Sequence, residues 1–330
     1  MTMRELARLA NVSVSTVSKA FHDADDVSQE TKEMVFETAK KYGCYGKFYK
    51  GKFHKQIIAI ICPELSDGYY SECVERLQQT VERNGGITLI SADHFNAVTQ
   101  RELMEYYASY LQVDGIMVFY LRDKLKKGYE VPVVSLMDPP NGKIDTINLD
   151  LRTPIYEIVC HLKELGHEKI AFIGEPLAAN KVNYFLEAAE KAGIAHTCVI
   201  ESKHRFEKAG EDGAMQLLQK DPECTAILCG YDNIAFGAIR HLKRCGYRVP
   251  EDFSVIGMDN VGESGYAETA LTTINSNMDQ LCMLAWEIIQ KKQQSKFYSC
   301  TQSITITGSP VYRETVDVPR VKKMPGHSQR

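Results

Sequence analysis

Long apolar runs are missing from this sequence: nowhere does it approach the ~18 uninterrupted apolar residues that a membrane-spanning helix needs, so no membrane partner is expected. Its first residues, MTMRELARLA, show no basic segment followed by an apolar one. A secretory leader is therefore not expected, and the cytoplasm is the expected compartment. Strong charge of either sign is also lacking, since 39 Lys and Arg stand against 43 Asp and Glu, a balance that by itself points to neither nucleic acid nor a lipid surface. The ten cysteines include no C-x-x-C and no Cys/His pairing with the spacing of a zinc site. They read as reduced core thiols, and no metal is expected.

Catalytic signatures are equally scarce. After the first apolar run the chain reads CPELSDGYY, with neither G-x-x-x-x-G-K-S/T nor G-x-G-x-x-G, so no nucleotide cofactor, and no cofactor of any kind, is expected. Gly262-Glu263-Ser264-Gly265 falls one residue short of a nucleophile elbow. His161 and His167 lie six residues apart, a spacing that does not place both on one helix face, and they read as surface histidines. Asp25-Asp26 reads as a solvated pair in a loop between helices.

What is present is patterned. Residues 1–56 hold ten Lys/Arg against seven Asp/Glu, whereas the remainder holds 29 against 36, so the excess of positive charge is concentrated at one end. Lys41, Lys47, Lys50, Lys52 and Lys55 are interleaved there with Tyr42, Tyr45, Phe48, Tyr49 and Phe53. Thr2 followed by Glu5 predicts a capping box and a helix from about Met3, with Leu6, Ala7, Leu9 and Ala10 on one face. Asn11-Val12 breaks the run, and Ser13 caps a second helix. There Val17, Ala20 and Phe21 form a buried stripe that leaves Val14, Ser15, Ser18 and Lys19 outward. A third helix opens at Val27-Ser28, its stripe running through Met34, Val35, Thr38, Ala39 and Tyr42 to Gly43.

From Gln56 short apolar runs alternate with amphipathic helices. QIIAIICP, ITLISAD, DGIMVFY and VPVVSLM read as strands buried on both faces, with a helix striped by Cys73, Val74, Leu77 and Val81 between the first two. After about residue 150 the alternation resumes with KIAFIG, AILCGYD and FSVIGMD, and helices begin near Thr153-Pro154 and Asn233. The expected fold class is α/β: an N-terminal three-helix domain followed by two doubly wound parallel-sheet lobes, with a small molecule bound at the carboxyl ends of the strands.

The residues that carry a resemblance are TMRELARLANVSVSTVSKAF and VSQETKEMV, followed in order by VDGIMVF, HLKELGHEKIAFIG, RVPEDFSVIGMDN and LTTI. Together they resemble the LacI/GalR family of transcriptional regulators: a helix-turn-helix headpiece and a periplasmic-binding-protein-like effector core. The resemblance implies a 1–45 DNA-binding domain, a 46–56 basic hinge and a 57–317 core. Residues 318–330, VPRVKKMPGHSQR, lack any periodicity and read as a disordered tail; in the resemblance lobe 1 would span about 57–150 and 276–303, and lobe 2 about 151–272 and 304–317. It implies a homodimer on a pseudo-palindromic double-stranded operator, most in keeping with a repressor whose DNA affinity a small molecule controls.

Base-reading then falls to Val14 and Ser15, with Lys19 as the basic contact and Thr16 and Ser18 facing the backbone. The hinge departs from the family: CYGKFYKGKFHKQ lacks its Pro-Asn and Ala-Arg, and Gly46 and Gly51 each weaken a helix by about 1 kcal/mol. A partly disordered arm is therefore expected, holding phosphates through Lys47 and Lys50, with Phe53 as a minor-groove wedge. Effector contacts carry over to Tyr69, Tyr70, Asp138, Lys181, Arg205, Phe206, Tyr231 and Asp259, with Met137 where the family has Asp. Tyrosine faces and carboxylates suit a sugar, while Lys181 and Arg205 equally suit a phosphate or carboxylate. Two rivals share the core: a solute-binding protein, which needs an export signal, and a sugar-modifying enzyme, which would turn its ligand over.

Overall fold

The structure, a computed structural model, describes residues 1–49, 55–66, 68–123, 125, 128–294 and 300–320. Three short helices come first: α1 (Met3–Leu9), α2 (Val14–Phe21) and α3 (Gln29–Lys41). The capping box forms as expected, with Thr2 Oγ1 accepting from Glu5 N at 3.3 Å and Thr2 N donating to Glu5 Oε2 at 2.7 Å. In α3 the stripe is displaced from the expected one. Val35 and Ala39 are buried, but Met34 and Tyr42 are exposed, and Lys32 takes the remaining inward place with Nζ 2.9 Å from Asp23 Oδ1. Positions 32, 35 and 39 share a face, and Met34 lies round the helix from it.

The expected arm is corrected at its start. Residues Tyr45–Tyr49 form a further helix, α4, whose Phe48 is buried with the headpiece core. Phe21 lies 5.9 Å from Tyr45 and 5.6 Å from Phe48, ring centre to ring centre. Burying one phenyl ring contributes about 2 kcal/mol, more than the roughly 1 kcal/mol that Gly46 costs a helix. The headpiece core thus continues past residue 45.

Beyond it the order is β1 (Ile57–Cys62), α5 (Gly68–Arg83), β2 (Ile87–Ala92), α6 (Ala97–Glu105), a π-helical turn Tyr106–Leu111, β3 (Gly115–Phe119), β4 (Val133–Leu136) and β5 (Asp145–Asp150). There follow α7 (Arg152–Glu164), β6 (Lys169–Gly174), α8 (Ala179–Ala192), β7 (His196–Glu201), α9 (Phe206–Lys220), β8 (Ala226–Cys229), α10 (Asp232–Arg244) and β9 (Ser254–Ile256). Last come α11 (Glu263–Tyr266), β10 (Thr273–Asn275), α12 (Met278–Gln294), β11 (Ser303–Thr307) and β12 (Ser309–Val311). Among the described residues no helix is long and apolar enough to cross a membrane.

The chain divides into two compact units. One is drawn from Met1–Glu64, Leu77–Ser135 and Trp286–Cys300, the other from Leu65–Arg76, Leu136–Ala285 and the chain from Thr301 onward. In the first, the strands stand in the order β4-β3-β1-β2, and β1 runs parallel to both neighbours. β2 is not buried on both faces as expected: it stands at the sheet's edge, and its Ile90 is 37% exposed.

In the second unit β7-β6-β8-β9 form an all-parallel sheet. Successive β6 residues face opposite layers, Ala171 and Ile173 joining one core cluster with Ala209, Leu217 and Ala238, and Ile170 and Phe172 joining another with Ile158, Leu162 and Phe185. Helices α9 and α10 therefore cover one face and α7 and α8 the other, the doubly wound arrangement. α9 and α10 touch backbone to backbone. A Cβ on Gly210 would lie 1.9 Å from Ile234 O, and one on Gly237 would lie 1.9 Å from Glu207 O.

His167, expected at the surface, is completely buried. Its Nδ1 lies 2.8 Å from Thr225 Oγ1 and its Nε2 2.9 Å from Asp317 O, so it ties the end of β8's lead-in loop to the C-terminal segment. Burial pushes its pKa below the usual imidazole range. His161 is half-buried, packing against the Tyr312 ring at 4.6 Å.

Candidate functional site

Two places combine outward chemistry with a rigid support. The first is α2. Ser13 caps it, its Oγ accepting from Thr16 N at 2.9 Å, so the first turn has a fixed start. Val17, Ala20 and Phe21 are fully buried, and Phe21 packs 5.2 Å from the Phe36 ring. One side of the helix is thereby clamped, and Val14, 42% exposed, stands with Ser15 and Lys19 on the other.

Thr16 and Ser18 are half-buried; the Thr16 hydroxyl lies 2.8 Å from Ser13 Oγ, and Ser18 O is bonded by His22 Nδ1 at 2.7 Å. Lys19 forms an ion pair with Asp26 of the loop before α3. That pairing holds the Asp26 carboxyl below the usual carboxylate range. Asp26 had read as merely solvated; the signal in the sequence was its place at the end of a turn that folds back on α2. Lys47 of α4 donates to Met1 O at 3.3 Å. Lys50 and Phe53 lie outside the described residues.

The second place lies in the second unit, at the carboxyl ends of its strands. Asp259 follows β9, held at φ 112° with its N–H donated to Ile274 O at 2.9 Å. A non-glycine residue there is strained, and strain of this kind gathers at ligand sites. Lys181 of α8 reaches across: its Nζ is 2.7 Å from Gly230 O, 3.4 Å from Asp259 Oδ1 and 4.2 Å from the centre of the Tyr231 ring. The structure thus brings Lys181, Tyr231 and Asp259 together.

The other expected contacts fall into separate groups. Arg205 pairs with buried Glu175 at 3.3 Å, and its guanidinium lies 4.4 Å over the Phe206 ring. Tyr69 and Tyr70 pack edge to face at 5.6 Å, and Tyr69 Oη lies 3.6 Å from Met137 Sδ. Asp138, next to Met137, is half-buried.

Beside Asp259 opens a polar cavity of about 320 Å³ lined by Glu72, Arg76, Asn275, Asn277 and Asp279 among others. Of the eight expected effector residues only Asp259 is in that lining. Arg76 donates to Glu72 Oε1 at 2.5 Å and also pairs with Asp279, so both ends of its fork are occupied. Glu72, Arg76 and Asp279 were missed, because α5 reads from sequence only through its apolar stripe, α12 was not singled out, and the polar faces of both carry no motif.

Asp232, also missed, holds the site from behind. It is buried and accepts from Val261 N at 2.9 Å, from Ser264 Oγ at 2.6 Å and from Thr273 Oγ1, so one carboxylate fixes both the loop after Asp259 and β10 to the start of α10. Burial pushes its pKa up to about 6. Ser264, buried and engaged in this way, is no nucleophile. Among the described residues no group of three or more His, Cys, Asp or Glu could hold a metal ion.

Residues 2–44 match the family model for bacterial regulatory proteins of the lacI family, and residues 159–316 match that of the periplasmic binding protein-like domain. The chain thus joins a lacI-family domain to a periplasmic-binding-protein-like one. It is 28% identical over 289 residues to the HTH-type transcriptional repressor CytR of Escherichia coli (strain K12), an alignment covering 83% of this chain and 84% of CytR. In fold the chain is similar to the lac repressor dimer bound to operator and an anti-inducer, at a TM-score of 0.69 and 21% identity, covering 96% of this chain and 99% of that one. A CelR–cellobiose complex superposes at a TM-score of 0.63 and 21% identity, with the same coverage. The chain is thus a DNA-binding transcriptional regulator with an effector-binding core.

Proposed function

We propose that the chain acts in the cytoplasm as a homodimeric repressor of a pseudo-palindromic operator, with a neutral sugar as the effector that sets its DNA affinity. CytR is named a repressor and the lac repressor neighbour is a dimer on operator, and both properties fit this chain. The observation that carries the DNA half is the clamped α2, whose Val14, Ser15 and Lys19 stand outward over a core of Val17, Ala20 and Phe21. Val14 is suited to a thymine methyl, Ser15 to a base edge, Lys19 to guanine, and Thr16, Ser18 and Lys47 to the phosphate backbone. In this reading the headpiece runs from residue 1 through α4, the effector core from about residue 57 to 317, and no reaction is catalysed.

The effector half rests on charge. Around Asp259 stand three carboxylates, Glu72, Asp259 and Asp279, against Arg76 and Lys181, and both cations already have carboxylate partners. Arg205 is likewise committed to Glu175. A phosphate entering this net-negative site would have to displace these carboxylates, whereas sugar hydroxyls can donate to them. A thermal-shift comparison of free sugars with the corresponding sugar phosphates tests this, because a ligand stabilises the folded chain by RT ln(1 + [L]/Kd). Stabilisation by a phosphate but not by its parent sugar would refute it.

A further inference from the structure

We propose that Asp26 sets the selectivity of the DNA-reading surface by competing with DNA phosphates for Lys19. The inference rests on α2 being the groove-reading helix. Lys19 leaves the last turn of α2, and the chain then turns back through Asp23-Ala24-Asp25-Asp26. Ala24 N donates to Lys19 O at 3.0 Å, Asp23 is anchored to the buried Lys32, and Val27 N donates to Ala24 O at 3.4 Å, so the turn is pinned at both ends. This geometry delivers the Asp26 carboxylate onto the Lys19 ammonium, with both side chains still half-exposed, at 48% and 58%.

An ammonium has three donors and no acceptor. Guanine O6 and N7 are neutral acceptors that can share Lys19 with Asp26. A phosphate is an anion, which must either displace Asp26 or sit beside it against like-charge repulsion. Asp26 therefore penalises the contact that every DNA sequence offers and spares the contact that one base offers. Selectivity rises through a repulsive element.

The test measures wild type, Asp26→Asn, Asp26→Ser, Asp26→Glu, Lys19→Ala and the Lys19→Ala/Asp26→Asn double variant. Each is titrated, over a range of salt, with a duplex enriched from a randomised pool by the wild-type protein and with a random duplex of equal length. Asp26→Asn and Asp26→Ser should bind random duplex about two- to five-fold tighter, the scale of an exposed ion pair. The dependence on log salt should steepen by about 0.9, one more phosphate neutralised. Enriched-duplex affinity should change less, so the ratio of the two falls, and Asp26→Glu should restore it. In the Lys19→Ala background the Asp26→Asn gain should vanish. A gain that persists without Lys19, or an unchanged ratio in both neutral variants, overturns the proposal alone. Lys19→Ala binding both duplexes as wild type does overturns the docking of α2, and the proposal with it.

Discussion

Asp232 offers the sharpest test of how the effector loop is held. Its folded-state pKa of about 6 lies above the ordinary 3.8 because burial outweighs the three hydrogen bonds that favour the carboxylate. The folded chain thus binds this proton more tightly than the unfolded one does. The contribution of the group to stability is fully present below about pH 3.8 and is lost as pH rises through about 6. At 1.36 kcal/mol per unit, the whole loss is about 3 kcal/mol, of which about 2 kcal/mol falls between about pH 4.5 and pH 7.5.

Asp232→Asn keeps the size and two of the three accepting contacts but cannot ionise. It turns an amide N–H₂ toward one former donor, a pH-independent cost of about 1 kcal/mol. Urea unfolding of both proteins, followed by far-ultraviolet circular dichroism across this pH range, should show the variant gaining about 2 kcal/mol on wild type as pH rises. Amide exchange at Val261, whose N–H Asp232 accepts, should report the same trend locally. A stability gap that does not move with pH, or that moves in wild type's favour, refutes the reasoning.

Asp259→Ala should abolish the thermal shift by the effector while leaving affinity for the enriched duplex unchanged, since the residue lies in the effector core, far along the chain from α2. Gly237→Ala should destabilise by about 3 kcal/mol or more, measured by thermal melting, because the new Cβ would meet a helix backbone carbonyl that cannot yield without parting α9 from α10. Phe48→Ala should remove about 3–4 kcal/mol from the headpiece and with it DNA binding, while effector binding in calorimetry persists; a folded headpiece in that variant would return α4 to the status of an arm.

The helices and inner strands were legible wherever burial imposes a period. α2, β1, β3 and β6 lie where apolar spacing puts them, since a fully buried strand or a one-sided helix leaves its mark on every residue. β5 (DTINLD) and β7 (HTCVIE) were not anticipated. Their residues alternate or lie largely exposed, and what makes them strands is pairing with β11 and β6, partners distant in sequence. α4 escaped for the opposite reason: a five-residue helix containing Gly46 looks unfavourable alone, and what holds it is the packing of Phe48 on Phe21 and of Tyr45 on Phe36.

Charged residues were legible as chemistry but not as partners. The same residue type carries three different physical states here, with Asp26 depressed beside Lys19, Asp232 raised by burial, and Asp259 held in a strained backbone between Lys181 and an open cavity. Each state is decided by groups tens of positions away or across a turn, so residue type and local spacing leave it open. The same holds for the lysine and the arginine that suit a phosphate by residue type: in the folded chain Lys181 is paired with Asp259, and Arg205, in a separate group, with Glu175. On the proposed reading an anion would have to break pairs that the fold has made, whereas a neutral polyol can join them.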